Sequence, residues 1–207
     1  MRCIQRFLRK RGELAFQRKW AKDFSANKDK VLEYWRKYRY LEQIKRICQI
    51  GPAVSVLDVG CGISSVLFFL EARKYGIDIL ADKYKQFFEY PFPVGALNAE
   101  NVDFLSDFDV VFCTNVLDHT ENPQAIIKKI YGITRNYFVL TVEVFDHHQK
   151  RDVCHPQCFT RWDIYTMLAP YFTIVFEAES DWIGLYNYVR GRMKIWGKEL
   201  ILILRKR

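Results

Sequence analysis

The chain has 207 residues, half of them hydrophobic, and a formal net charge of +8, which suits one α/β domain with a substantial core plus a short extension. No apolar run approaches the roughly 18 residues that span a bilayer, and Met1 to Arg11 alternates apolar with basic residues instead of building a signal-peptide core, so a soluble, cytoplasmic protein is expected. Cys3, Cys48, Cys61, Cys113, Cys154 and Cys158 are too scattered for a small disulfide scaffold and read as free thiols.

Residues 1–50 hold 15 Lys and Arg against 5 Asp and Glu, whereas residues 51–207 hold 17 against 19. The basic character therefore belongs to an N-terminal extension, residues 1–50, that precedes the main domain, 51–207. Such a surplus is either a solvated helix face or an attraction to an acidic partner. No nucleic-acid module accompanies it, so no specific nucleic acid is expected, and the sharper reading is peripheral contact with an anionic membrane.

In chain order, Arg2 to Lys19 reads as a weak helix interrupted by Gly12, with an apolar patch at Ile4, Phe7 and Leu8. Val31, Trp35, Tyr38, Leu41, Ile44 and Cys48 recur at three- and four-residue steps, which predicts an amphipathic helix over Asp29 to Gln49. Gly51-Pro52 ends it. From Ala53 onward short apolar runs alternate with helix-length segments, the pattern of a parallel sheet covered on both faces. Strands are expected at Val54–Val59, Lys74–Asp78, near Val94–Asn98, at Val110–Thr114 and at Tyr137–Val144, with helices at Ser64–Ala72, Leu80–Tyr90 and Pro123–Thr134. Phe172–Ala178 and Leu200–Leu204 add two late strands, and the Trp- and Tyr-rich stretch between them resists assignment.

Three places carry chemistry. Val56-Leu57-Asp58-Val59-Gly60-Cys61-Gly62 ends a buried strand on a carboxylate and follows it with two glycines, which lets a ligand approach the backbone. A dinucleotide fingerprint would need a third glycine where Ser65 stands. Tyr75-Gly76-Ile77-Asp78 ends a second strand on an acid; in an open sheet Asp78 would stand beside the glycine turn, able to accept from both hydroxyls of a ribose, with Asp82 as the alternative and helix capping as the plain reading. Phe108 to His119 ends a third strand at the same edge, with Asn115 and His119 facing the crevice. His147, His148, Cys154, His155 and Cys158 are metal-ligating types, but the CxxC pairs of a zinc ribbon are missing and no metal is expected.

Together the segments from Val54 to about Phe145 resemble class I methyltransferases, particularly the small bacterial-type enzymes whose central motif reads like Asn115-Val116-Leu117-Asp118-His119. The resemblance implies a Rossmann-like α/β fold: a seven-stranded, mostly parallel sheet of order 3-2-1-4-5-7-6, the last strand antiparallel, helices on both faces. It also implies S-adenosylmethionine as cofactor. Gly60, Cys61 and Gly62 would form the turn beneath its methionine part, Asp58 would orient that loop, Asp78 would bind ribose, Asn98 and Ala99 adenine, and Asn115 would lie near the methyl group. The chain departs from the pattern at Ser64, where a further glycine is usual, and at Asn98, where an aspartate is usual.

On that likeness His119 is the first candidate base for a hydroxyl acceptor and His155, in His155-Pro156-Gln157-Cys158-Phe159-Thr160, the second. The acceptor would be a small molecule, a saccharide or a lipid-linked precursor, methylated at oxygen. Trp35 and Tyr38 could stack on its ring, flanked by Arg36, Lys37 and Arg39, or could simply pack on the sheet. A non-catalytic binding or scaffold protein on the same fold is the alternative.

Overall fold

A computed structural model describes residues 2–104, 107–148, 155–180 and 197–207. Cys154, most of the Trp- and Tyr-rich stretch before Gly197, and the side chains of Cys3, Ile4, Phe7 and Leu8 lie outside the described part.

Seven strands form one sheet: β1 (Ser55–Val59), β2 (Arg73–Ile77), β3 (Val94–Gly95), β4 (Phe108–Thr114), β5 (Thr134–Phe145), β6 (Phe172–Ser180) and β7 (Gly197–Lys206). Their spatial order is β3-β2-β1-β4-β5-β7-β6, as expected. The first five are parallel, and β7 runs antiparallel to both β5 and β6. Leu200 to Leu204 are fully buried, because a strand between two others must be apolar on both faces, while Ile174 and Val175 of the edge strand β6 are exposed.

Side-chain alternation divides the core in two. On one face Val111, Phe138 and Leu202 meet Ile126, Ile127 and Ile130 of α4 (Pro123–Ile133) and Ile164 and Leu168 of α5 (Arg161–Leu168). Asn122 caps α4 and a Thr160–Asp163 capping box starts α5. On the other face Val56, Val110, Phe112 and Val139 meet Trp35 of α1 (Arg2–Tyr38) and Ile44 of α2 (Leu41–Ile47).

Three expectations need correcting, and of the two readings of Trp35 the structure selects packing on the sheet. The two N-terminal helices are divided differently: α1 runs unbroken through Gly12, and the break falls at Tyr40, whose φ is 57°. A single exposed glycine costs a helix only about 1 kcal/mol, less than α1 recovers by packing Leu14, Ala21 and Phe24 around Ile63, Leu80 and Tyr84. The helix expected at Ser64–Ala72 is one 3₁₀ turn, Val66–Phe69, started by Ser65 Oγ accepting from Leu67 N–H (3.1 Å) and ended by extended Leu70. That segment is too apolar for a helix with a solvated face. The helix expected at Leu80–Tyr90 is only α3 (Ala81–Tyr84), because the aromatics beyond it turn inward: Phe88 meets Phe24 edge-on at 5.1 Å and Tyr90 at 4.9 Å. Trp35 is 1% exposed and packs edge-on against Phe112 at 6.4 Å, so it is a core residue and not a stacking platform.

Candidate cofactor and acceptor site

The three strand ends meet at one edge of the sheet. Asp58 lies opposite Gly76 on β2 and Phe112 on β4. The turn after β1 is held to β2 by the N–H groups of Gly60 and Cys61, which both donate to the Ile77 carbonyl at 2.8 and 3.0 Å. Gly60 and Gly62 have φ of +73° and +50°, a region that side chains other than glycine's rarely enter. A Cβ on Gly60 would fall 2.4 Å from Val116, so the turn also needs glycine to approach the loop after β4. Cys61 is buried beneath Gly76, and burial pushes its thiol well above the usual range.

Asp78 reaches back to this turn. Its Oδ2 accepts from Gly62 N–H at 3.1 Å and its Oδ1 from Leu80 N–H at 2.8 Å. Asp82 sits on the outer side, 3.8 Å from Lys85 with its side chain 76% exposed, so Asp78 is the acid beside the turn. Asn98 and Ala99 begin the 3₁₀ segment Ala99–Phe104, and Asn98 Oδ1 accepts from Glu100 N–H at 3.1 Å.

Asp58 is fully buried. Ser65 Oγ donates to its Oδ2 at 2.6 Å, but its Oδ1 accepts no hydrogen bond. Burial raises its pKa to about 7, against the lowering effects of Ser65 and the Arg39 charge; burial likewise raises Asp78 to about 6. A carboxylate with an unmatched oxygen beside a glycine turn is suited to a ligand bearing positive charge. The donor set therefore fits a cationic nucleoside of the S-adenosylmethionine type: an acid for the charge, glycines for close approach and a second acid for the ribose.

Helix α1 also enters this site. Gln17 is 6% exposed; its Oε1 accepts from Ile63 N–H at 2.9 Å, and its Nε2 donates to Glu13 at 2.8 Å. Tyr90 donates to the Gly62 carbonyl at 2.8 Å. The glycine turn is thus contacted by protein from three sides.

On the β4–β5–β7 side lies a buried polar cluster. Arg39 donates to Glu199 Oε1 from Nε at 3.1 Å and from Nη2 at 2.5 Å, and Tyr34 donates to Oε2 at 2.7 Å. The Asn115 amide completes it when oriented by its neighbours, so that its nitrogen donates to Glu199 at 3.1 Å and its oxygen accepts from Arg39 at 2.8 Å. Asn115 has φ of 53°, which asparagine tolerates better than most residues. The Arg39 guanidinium also lies 4.8 Å from the ring centres of both Tyr34 and Trp35. Arg39 therefore pairs with the chain's own carboxylate. Sequence reasoning gave Tyr34, Glu199 and Gln17 no place in the site; a glutamate leading the apolar run Leu200–Leu204 was the available signal for Glu199, and nothing marked Gln17.

Farther along the same edge, the 3₁₀ turn Leu117–His119 follows Val116. His119 and His155 come together with ring centres 4.5 Å apart, and Asp118 Oδ2 lies 3.9 Å from His119 Nε2. Backbone ties fix this meeting: Gln157 N–H donates to the Asp118 carbonyl at 3.2 Å, and Phe145 N–H to the Phe159 carbonyl at 2.9 Å. The candidate set His147–Cys158 is divided instead. His148 turns to Asp163 at 2.7 Å, while His155 joins the crevice edge beside His119.

Residues 57–142 match the sequence family described as a methyltransferase domain. The match spans less than half of the chain, and the sheet order with its antiparallel β7 is that of the class I methyltransferase fold. S-adenosylmethionine is the cofactor of domains of this class. Among curated proteins none matches the sequence. Solved structures with the same fold include the [4+2]-cyclase SpnF (14% identity, TM-score 0.62, 81% of this chain and 80% of that one). Another is the 1,6-didemethyltoxoflavin-N1-methyltransferase of Burkholderia thailandensis, with 1,6-didemethyltoxoflavin and S-adenosylhomocysteine bound (17%, 0.57, 90% and 86%). A third is the magnesium protoporphyrin IX methyltransferase of Synechocystis PCC 6803 with S-adenosylmethionine bound (18%, 0.53, 74% and 71%). At these identities the likeness speaks to the fold. Among the described residues no helix is long and apolar enough to cross a membrane.

Proposed function

We propose that the protein transfers a methyl group from S-adenosylmethionine to an oxygen atom of a small-molecule, saccharide or lipid-linked acceptor. The observation that carries this reading is the convergence of Asp58, Gly60, Gly62 and Asp78 at the edge of a methyltransferase domain, with Asp58 buried and one of its oxygens unmatched. The sulfonium donor supplies a methyl group that is already activated, so the protein's task is alignment and exclusion of water. Asp78 and the turn hold the nucleoside, Asp58 faces its positive charge, and Asn115 lies across the crevice. Asp118, His119 and His155 are the polar side chains available to orient and ionise an acceptor hydroxyl.

Calorimetry with S-adenosylhomocysteine tests this reading. Binding is expected for the parent, weakened by about 1.5–3 kcal/mol in Asp78→Ala, the range for hydrogen bonds to a charged group. An undiminished affinity in a folded Asp78→Ala protein would put the nucleoside elsewhere. Exposed Arg11, Lys19, Lys22 and Lys30 on α1 support an anionic or lipid-linked acceptor. Anionic vesicles at low salt should retain the protein more than neutral ones, and equal retention would remove the lipid-linked option.

A further inference from the structure

Asp118, His119 and His155 offer one oxygen and two imidazole nitrogens, all within 4.8 Å of one another. Asp118 is buried, and the two histidines are half-buried at the crevice edge. We propose that these three side chains bind a divalent transition-metal cation at the acceptor edge of the methyltransferase domain. Metal–ligand bonds of roughly 2.1 Å place neighbouring ligand atoms about 3–3.5 Å apart, so small side-chain rotations close the set around an ion. The backbone that carries the ligands is already in register, through the Gln157–Asp118 tie and the bridge between Val144 and Phe159.

The donor set decides the kind of ion. Two imidazoles and one carboxylate suit zinc, manganese, iron or cobalt, whereas magnesium and calcium prefer all-oxygen sites. Three protein ligands leave at least one position open, as catalytic sites do and closed structural sites do not. The turn that carries Asp118 and His119 is the one whose Val116 packs on Gly60, so the open position belongs beside the crevice. A cation there would bind the acceptor through its oxygen and make its hydroxyl more acidic. During transfer the acceptor oxygen forms the new bond to the methyl carbon, and the carbon–sulfur bond breaks with its electron pair going to sulfur. The hydroxyl proton leaves to water, and nothing is oxidised or reduced.

This role in the reaction rests on the methyltransferase reading; the metal site itself does not. The test uses the full chain, stripped with a chelator and titrated with Co²⁺ while the visible absorption of the bound ion is followed, with Zn²⁺ as competitor. The same preparations are assayed for S-adenosylhomocysteine binding by calorimetry, which also shows that each variant is folded. The parent should bind Co²⁺ with absorption bands of a nitrogen-ligated site. Loss of outer-shell partners alone weakens metal sites 10–100-fold, so His119→Ala and His155→Ala should each weaken binding by more than about 100-fold. His148→Ala, which removes an exposed histidine paired with Asp163, should match the parent. A parent that binds S-adenosylhomocysteine but no Co²⁺ overturns the proposal, as does Co²⁺ binding that survives both His119→Ala and His155→Ala. A parent that binds Co²⁺ as described but no S-adenosylhomocysteine keeps the metal site and removes the methyltransferase reading.

Discussion

The β1–β2 side of the crevice is assembled from one short stretch of chain, Asp58 to Asp78, whereas the opposite side joins Arg39 to Glu199 across 160 residues of sequence. The near side presents Asp58 Oδ1 without a partner. The far side matches its charges within the molecule, with both Glu199 oxygens accepting hydrogen bonds. Unmatched polarity is what a ligand can use; matched polarity holds helices to a sheet. The first side reads as chemistry, and the second as the fastening that keeps α1 and α2 over it.

The sharpest way to break this contrast is to remove one partner from the fastening. Glu199→Ala leaves the Arg39 charge buried without its carboxylate, and removing one member of a buried pair costs about 3–5 kcal/mol. Urea unfolding should show that loss. Arg39→Met with Glu199→Leu should lose less than Glu199→Ala alone, because no charge is then stranded. If Glu199→Ala is as stable as the parent, the cluster is not a fastening and the far side needs another account.

A second test, smaller in effect, uses pH against the near side. Burial holds the Asp58 proton until about pH 7 in the folded protein, but an unfolded chain gives it up near pH 4. Between those values the folded state binds more protons, so this group's contribution lowers stability as pH rises through the window. Asp78, raised to about 6, acts in the same direction. Unfolding free energies at about pH 5 and about pH 7.5 should fall less for Asp58→Asn than for the parent. An identical pH dependence in both proteins would mean that Asp58 is ionised throughout.

The same contrast explains what could be read from the sequence. The sheet order comes from the family resemblance carried by the Asp58 and Asp78 strand ends, and one local pattern agrees with it: Leu200–Leu204 is apolar on both faces, as a strand inserted between two others must be. Asp78 and its glycine turn were legible because the residues that meet are near in sequence. Tyr34, Arg39 and Glu199 were not, since helix periodicity marks Trp35 for burial but gives no sign that Arg39 finds a carboxylate on β7. The metal-type cluster shows the same limit. Spacing groups His155 with His147 and His148, while the bridge at Phe159 brings it to His119, 36 residues away in sequence.

The smallest expected effect lies where the two regions touch, at Gln17. Its Oε1 occupies the Ile63 N–H, and its Nε2 would be only 2.9 Å from a Cβ on Gly62, so α1 lies directly on the turn that the nucleoside must reach. A ligand that uses this turn has to displace the side chain, and the net value of one such hydrogen bond is about 1 kcal/mol. Gln17→Ala should therefore bind S-adenosylhomocysteine about five-fold more tightly than the parent, a factor that corresponds to about that energy. Its folding stability should fall, since the Ile63 N–H loses its partner in the ligand-free protein. Calorimetry and thermal unfolding on the same preparation read both quantities. Weaker binding in Gln17→Ala would mean that the glutamine holds the ligand instead of standing in its place, and α1 would then belong to the chemical side of the crevice.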